Sequence, residues 1–276
     1  MEKEKPFLYI DTNFSYDEAL MVDLALRSEA FELVGISTNQ GFMNKKKAGE
    51  NILGLGEVYG LFLPVVEGRS YNLKKEPLEF KEKGEIIYEP KKDYLEDVDV
   101  YDNLYDLARD TGSLNILTTG PLTNIGGALE KYPDLEDYIS HIFISGGSLG
   151  EIEENFAKDP LAIDIILNSS IDLFIIPKDI SRQVEIGGDF LEGIKTKENA
   201  KIIDGLIKSK ARNFNASLSL YLIESPEAFI YEEGSFKVDR EYELGKLERS
   251  NTRKKNYLAI RVNEESFLAY IKDSYQ

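Results

Sequence analysis

The chain has 276 residues, a net charge of −17, no cysteine and a single histidine. That length holds one sizeable hydrophobic core. The acidic balance argues against a nucleic-acid partner, because phosphate contacts need clustered Lys and Arg, and the missing cysteines exclude disulfides, thiolate nucleophiles and Cys-based zinc sites.

A hydrophobic fraction of 42%, with 16 Tyr and 14 Phe, marks a globular chain. The start, Met1-Glu2-Lys3-Glu4-Lys5, leads into no apolar h-region, and no run reaches the length of a membrane span. The expectation is a soluble cytoplasmic protein with no membrane partner.

The first apolar run, Phe7–Ile10, predicts a strand that ends in a polar, acidic burst, Asp11-Thr12-Asn13-Phe14-Ser15-Tyr16-Asp17-Glu18. A helix over Asp17–Arg27 follows at once, then a strand over Glu32–Ser37 and a helix over Asn44–Tyr59. The run Lys45-Lys46-Lys47 opens that helix and is expected to sit in solvent. A strand at Leu63–Val66 comes next. Residues 70–98 break the rhythm: they are charged, carry Pro77 and Pro90, and suggest a long loop or insertion of the kind that forms lids and binding loops.

Regular alternation then resumes. The pattern predicts a helix over Tyr101–Thr111, a strand over Leu114–Leu117, a helix over Pro121–Tyr132 and a strand over His141–Ser145. A helix over Pro160–Asn168 and a strand over Leu173–Ile176 complete the series. Pro121 and Pro160 suit the first turn of a helix, where a missing N–H is harmless. Beyond about residue 188 the chain is helical to roughly 228. A tail follows with strand-like runs at Phe229–Val238 and Tyr257–Val262, and Asn263 opens a final helix. Alternating strands and helices predict an α/β fold: an open, mainly parallel sheet with helices on both faces, one domain over residues 1–276.

Polar clusters sit where strands end: Asp11 to Glu18; Thr38-Asn39-Gln40-Gly41; Thr118-Thr119-Gly120-Pro121-Leu122-Thr123-Asn124; and Ser145-Gly146-Gly147 with Glu153-Glu154-Asn155. Strand carboxyl ends in such a sheet converge on one crevice. Each cluster also has a plain structural reading. Asp11 can cap a turn, and Asp17 and Glu18 can favour a helix N-terminus. Thr123 and Asn124 can serve helix packing, and Asp159 can cap the helix opened by Pro160. Gly146-Gly147 carries no phosphate-loop pattern, so no nucleotide cofactor is expected. Glu153 and Asn155 divide evenly between ligand contact and loop structure.

These segments, with Leu33-Val34-Gly35-Ile36-Ser37-Thr38, Leu63-Pro64-Val65-Val66-Glu67-Gly68, Thr119-Gly120-Pro121-Leu122-Thr123-Asn124-Ile125, Glu153-Glu154-Asn155-Phe156-Ala157-Lys158-Asp159-Pro160 and Asp179-Ile180-Ser181-Arg182-Gln183-Val184, resemble the inosine–uridine-preferring nucleoside hydrolases. The resemblance runs from residue 6 to about 230 and implies hydrolysis of the N-glycosidic bond of a ribonucleoside. It further implies a nucleoside or ribose as small-molecule partner, a homo-oligomer by analogy, and a calcium ion at the strand ends. Carried over residue by residue, Asp11, Asp17, Glu153, Asn155 and Asn215 match substrate-binding positions. Asn13, Glu18, the Thr119 carbonyl and Asn215 match the ion's ligands, and catalysis falls to Asp17, Glu18 and the position of Asn13.

The departures from the family pattern have chemical weight. Asn13 stands where the family has its general-base aspartate, and an amide cannot take a proton from water. Glu18 replaces an aspartate, and Asn215 removes another carboxylate. Calcium binding is therefore expected to be weak or absent. Phe214 stands where a histidine assists the leaving base, and Phe42 replaces an asparagine. His141 begins a strand at the far end and cannot compensate; Tyr16, Tyr71, Tyr88 and Tyr94 are alternative proton donors among which nothing selects. Two expectations follow: a nucleosidase with impaired or altered activity, or a catalytically degenerate nucleoside-binding or partner protein on the same fold.

Overall fold

The strand β1 (Phe7–Thr12) lies inside a nine-stranded sheet, third from one edge. The computed structural model describes residues 5–79, 85, 87–91, 95–211, 214–252, 254 and 256–276. In chain order β1 is followed by α1 (Tyr16–Arg27), β2 (Glu32–Thr38), α2 (Lys45–Val58), β3 (Val65–Glu67), α3 (Val100–Thr111), β4 (Leu114–Thr118) and α4 (Thr123–Lys131). A 3₁₀ turn (Pro133–Tyr138) leads to β5 (Ile139–Ser145), α5 (Glu154–Lys158), α6 (Pro160–Asn168), β6 (Asp172–Ile176), α7 (Lys178–Ser181), α8 (Gly188–Gly193), α9 (Ala200–Ser209) and α10 (Asn215–Glu224). The tail holds a 3₁₀ turn (Pro226–Ala228), β7 (Phe229–Val238), β8 (Leu247–Ser250), β9 (Asn256–Val262) and α11 (Glu264–Asp273).

The sheet order is β3-β2-β1-β4-β5-β6-β9-β7-β8. Every pair from β3 to β9 is parallel, and β7 and β8 add an antiparallel edge. From β1 the chain steps outward one way to β2 and β3, then returns past β1 to β4. The β1/β4 boundary is the topological switch point, where open α/β sheets bind ligands.

Alternation along β1 explains the two-sided core. Leu8 and Ile10 face a cluster with Leu20 and Leu24 of α1, Ile52 of α2, Ile202 of α9 and Leu218 of α10. Tyr9 faces the other layer, with Leu104 of α3, Ile125 of α4 and Ile163 of α6. Strands covered on both faces are apolar throughout, which is why the sequence shows runs rather than alternation. Each such buried side chain contributes about 1.5–3 kcal/mol relative to exposure.

The expected mainly parallel sheet and its helices are present, with informative differences. β1, β2 and β4 run past their apolar residues to Thr12, Thr38 and Thr118, because the register aligns Asp11 with Ser37 and Thr118 and lets their side chains bond one another. Pro121 precedes α4 rather than opening it; the first helical bond runs from Gly126 N–H to Leu122 C=O. Pro160 does open α6, with Asp159 as its cap. β8 escaped the sequence reading because Leu-Glu-Arg-Ser carries no strand signature and is ordered by pairing with β7. Lys45 is not free in solvent: its Nζ donates to the Gly68 carbonyl at 2.6 Å and pairs with Glu67 at 3.3 Å.

Among its described residues, the 70–98 segment forms no helix or multi-residue ladder and is pinned by side chains instead. The Asn51 Oδ1 accepts from the backbone N–H groups of Ile87 and Tyr88, at 2.7 and 3.1 Å. Leu73 N–H donates to Asp159 at 3.0 Å.

Candidate active site

Over the β1/β4 switch point lies a hollow of about 360 Å³. Its lining brings together Ser15, Asp17 and Glu18 from the β1–α1 corner, Thr119 from the end of β4, Glu153 and Asn155 beside β5, Lys178 at the end of β6, and Asn215 and Ala216 at the start of α10.

The β1–α1 corner is shaped by a left-handed residue. Phe14 has φ 57° and is fully buried, an uncommon backbone for a bulky side chain. That turn delivers Ser15 as the N-cap of α1 and places Asp17 and Glu18 in its first turn. Ser15 N–H donates to Glu18 Oε2 at 2.8 Å, half of a capping box.

Asp17 faces across to α10. Its carboxylate accepts from Ala216 N–H at 2.8 Å, Ser217 N–H at 3.2 Å and Ser217 Oγ at 2.7 Å. It thereby supplies the cap that α10 lacks in its own sequence, since its N-cap residue is Phe214. Burial nevertheless pushes the Asp17 carboxyl up to about 6, against the pull of those three donors. Glu18 rises further, to about 7, by burial first and the neighbouring Asp17 charge second. A carboxylate near 7 inside a hollow is suited to taking a proton at neutral pH.

Asp11 lies below the hollow rather than on its lining. It accepts four side-chain bonds: Ser37 Oγ at 2.6 Å, Asn124 Nδ2 at 2.7 Å, Asn39 Nδ2 at 2.9 Å and Thr118 Oγ1 at 3.2 Å. Burial raises its pKa and the four donors oppose the rise. Asn124 also donates to the Thr38 carbonyl at 3.2 Å and accepts from Arg69 N–H at 2.9 Å, so it ties β1, β2 and the segment after β3 to α4.

Glu153 caps α5: its oxygens accept from Asn155 N–H and Phe156 N–H, at 3.1 and 3.0 Å. Burial raises its pKa, opposed by those N–H groups and, more weakly, by Lys178. Asn155 donates to the Thr119 carbonyl at 3.1 Å. Asn13 sits behind the lining, 6% exposed, where a Cβ on Gly41 would lie 2.7 Å from its Nδ2. This close approach requires glycine at 41. Asn215 lines the hollow, with Nδ2 directed to the Ile176 carbonyl at 3.5 Å.

The side-chain oxygens of Asn13 and Asn215 are buried with no hydrogen-bond partner. Unpaired buried acceptors are costly and call for a donor or a cation. The resemblance groups them with Glu18 and the Thr119 carbonyl, all oxygen donors of the type that would suit a hard cation, although Asn13 is not on the lining of the hollow. The charge does not suit calcium as well as the donor type does: no group of three His, Cys, Asp or Glu able to hold a metal occurs among the described residues.

Two further residues, Ser217 and Lys178, are in contact with the hollow's lining or part of it. Ser217 binds Asp17, and its only signal was position, two residues beyond Asn215. Lys178 lines the hollow and pairs with Glu151 at 3.7 Å; its place immediately beyond β6 was the available clue. Of the alternative proton donors, Tyr88 gives its hydroxyl to the Glu198 carbonyl at 2.9 Å, and Tyr71 borders a different hollow, with Lys45 and Arg69. Tyr94 lies outside the described residues. Tyr16 is not on the lining; it packs edge-on against Phe42, which is, with 6.2 Å between ring centroids. His141 is half-buried near the start of β5, with Nδ1 2.9 Å from Asn115 Oδ1.

Comparison with known proteins bears on the family and the fold. The chain is 26% identical over 267 residues to uridine nucleosidase 1 of Arabidopsis thaliana, covering 84% of this chain and 78% of that protein. It is 25% identical over 201 residues to the non-specific ribonucleoside hydrolase RihC of Escherichia coli, covering 67% of this chain and 65% of that one. An uncharacterised Schizosaccharomyces pombe protein is 29% identical over 194 residues, a match spanning 64% of this chain and 62% of the relative. In fold, a purine-preferring ribonucleoside hydrolase from Gardnerella vaginalis superposes with a TM-score of 0.88 at 24% identity, and a plant nucleoside hydrolase with 0.87 at 22%. Each superposition covers 98% of both chains. The model of the inosine-uridine preferring nucleoside hydrolases matches residues 8–269, and the chain belongs to that family.

Proposed function

We propose that this protein hydrolyses the N-glycosidic bond of a ribonucleoside, releasing the free base and ribose. The observation that carries the reading is the convergence of Asp17, Glu18, Asn155 and Asn215, from segments some two hundred residues apart, on one sugar-sized hollow at the sheet's switch point. Family membership supports the same reaction class.

In this reading Glu18 is the base. It lines the hollow, only one of its oxygens is held by Ser15, and its pKa near 7 matches the task. It takes a proton from a water that adds to C1′ as the C1′–N bond breaks, and the departing base leaves with the electron pair. Asp17, Asn155 and Asn215 orient the ribose. Asp17 is rigid, because α10 holds it. A bound cation would polarise the water and the sugar hydroxyls, and Asn13, Glu18, Asn215 and the Thr119 carbonyl are the residues that would hold it. Turnover is slow in this account, because the amide of Asn13 accepts no proton and only Glu18 is left for the role.

Incubation with inosine, uridine and p-nitrophenyl riboside, with reducing sugar as readout, tests the proposal. Ribose release from at least one of them supports it. Binding of all three without release would favour a nucleoside-binding protein on the same fold.

A further inference from the structure

Among the described residues, one aromatic side chain lines the hollow, that of Phe42. Ala216 is the only other apolar one; apart from Gly146, the rest carry hydroxyl, amide, carboxylate or ammonium groups. Phe42 is also the one residue from Gly35 to Met43 that is not buried. A phenyl ring left partly exposed forgoes part of the stabilisation that full burial would give. Single exposed apolar residues are ordinary on an outer surface, but this one stands on the wall of a concave, polar site.

The surrounding chain keeps the ring there. Its flanks are anchored: Gln40 and Met43 are buried, and Gly41 N–H donates to the Met43 carbonyl at 3.3 Å. Tyr16 supports the ring edge-on, and α9 blocks Tyr16 from retreating, because a Cβ on Gly205 would already lie 2.0 Å from the Tyr16 ring. The space behind Phe42, closed by Phe14, Met43 and Ile87, measures about 10 Å³, room for one water at most. The ring cannot turn inward without displacing the core.

Sheet order says which end of the hollow the ring marks. The segments after β2, β1, β4, β5 and β6 supply in turn Phe42, Glu18, Thr119, Asn155 and Lys178, with about 4.8 Å between neighbouring strands. Phe42 closes the β2 end, next to Asp17 and Glu18, and hydrogen-bonding groups continue toward β6. A ribose ring is rich in hydroxyls and belongs with those groups. A nucleobase offers a flat π-face, which an aromatic ring can take. We propose that Phe42 is the platform on which the nucleobase stacks, holding the base by its face while the ribose reaches the polar wall. The inference rests on the reading of the hollow as a nucleoside site and adds the residue that selects the leaving group. Because every base has a π-face, Phe42 favours aromatic leaving groups as a class and separates one base from another only by stacking strength.

The test uses the full-length protein and formycin B, a C-nucleoside whose base is joined to C1′ through carbon and is not released by this hydrolysis, so affinity is read without turnover. Calorimetry gives the Kd of formycin B and of free ribose for wild type, F42A, F42L and F42Y. F42A is expected to weaken formycin B by about 5–150-fold, the range for removing one aromatic ring from beneath a base. F42L, which keeps apolar bulk without a π-face, should weaken it by about 2–12-fold, whereas F42Y should stay within about twofold of wild type. The Kd of ribose should be the same in all four proteins.

Equal formycin B affinity in wild type and F42A would overturn the proposal. So would a ribose affinity that falls in step with that of formycin B, since Phe42 would then only shape the wall. If F42A does not fold, or ribose binds too weakly to titrate, the contrast between F42L and F42Y decides. The stacking pattern without ribose release from inosine keeps the platform and loses the hydrolase reading; release with unchanged F42A affinity does the converse. A wild type that binds neither ligand overturns the platform as well.

Discussion

The hydroxyl of Ser217 donates to the carboxylate of Asp17 at 2.7 Å, two hundred positions away in the chain. The same carboxylate accepts two N–H groups from the first turn of α10, so one acidic residue both faces the hollow and fastens its far wall. Asp17→Ala removes that cap and should cost about 1–2 kcal/mol of stability, in the usual range for helix caps. Ser217→Ala, which leaves both backbone bonds intact, should cost about 1 kcal/mol or less. Urea denaturation of the two variants and their double mutant checks the ordering; equal losses would mean that the two backbone N–H bonds to Asp17 contribute nothing.

A second expectation concerns pH. Burial raises Asp17 to about 6 and Glu18 to about 7, both above their ordinary values of 3.8 and 4.5. A carboxyl with a folded pKa above its unfolded one favours folding in the protonated form. Its contribution is fully present below the unfolded pKa and is lost as pH rises through the folded value. Between about pH 4 and pH 7 these two groups should therefore lower stability progressively. Glu18→Gln, which can still accept from Ser15 N–H, should flatten the upper part of that slope and raise the unfolding midpoint at pH 8. Midpoints of both proteins from pH 4 to 8 test this; parallel curves would contradict it.

Below the hollow, Asp11 accepts from Ser37, Asn39, Thr118 and Asn124. Four donors around one buried carboxylate tie β1 to β2, β4 and α4. Asp11→Asn turns an acceptor into a donor against that ring. It should destabilise by about 2–4 kcal/mol, since buried bonds to a charged group are each worth about 1.5–3 kcal/mol. Guanidinium denaturation gives the value, and a loss under 1 kcal/mol would show that the ring re-forms around an amide.

Behind Phe42 of the lining, a Cβ on Gly205 would lie 2.0 Å from the Tyr16 ring, which itself packs edge-on to Phe42. Gly205→Ala should displace Tyr16, cost about 1–3 kcal/mol through overpacking, and raise KM for nucleosides while leaving the pH dependence of turnover unchanged. Steady-state kinetics with the variant measures both.

Much of the fold was legible in the sequence because the signals were local. Pro160 after Asp159 marked the start of α6, and Asn263 marked that of α11. The apolar runs Phe7–Ile10 and Leu114–Leu117 located the two strands that flank the switch point. Motif resemblance points to Asp17, Glu18 and Asn215, and they line one hollow. What stayed hidden depends on three dimensions. Nothing in the order of residues says that Asp17 caps α10, that Asp11 is fully bonded beneath the floor, or that Lys178 reaches the lining. β8 was invisible because its strand state is imposed by β7 rather than by Leu-Glu-Arg-Ser itself.

The most direct test of the proposed hydrolase is the pH profile of ribose release by wild type and Glu18→Gln. The expected result is a wild-type rate that rises through about pH 7 with ionisation of Glu18, and a variant slower by about 10²–10⁴-fold with no such rise. A variant that releases ribose at the wild-type rate, with the same profile, would contradict the assignment of Glu18 as base and, with it, the account of this site.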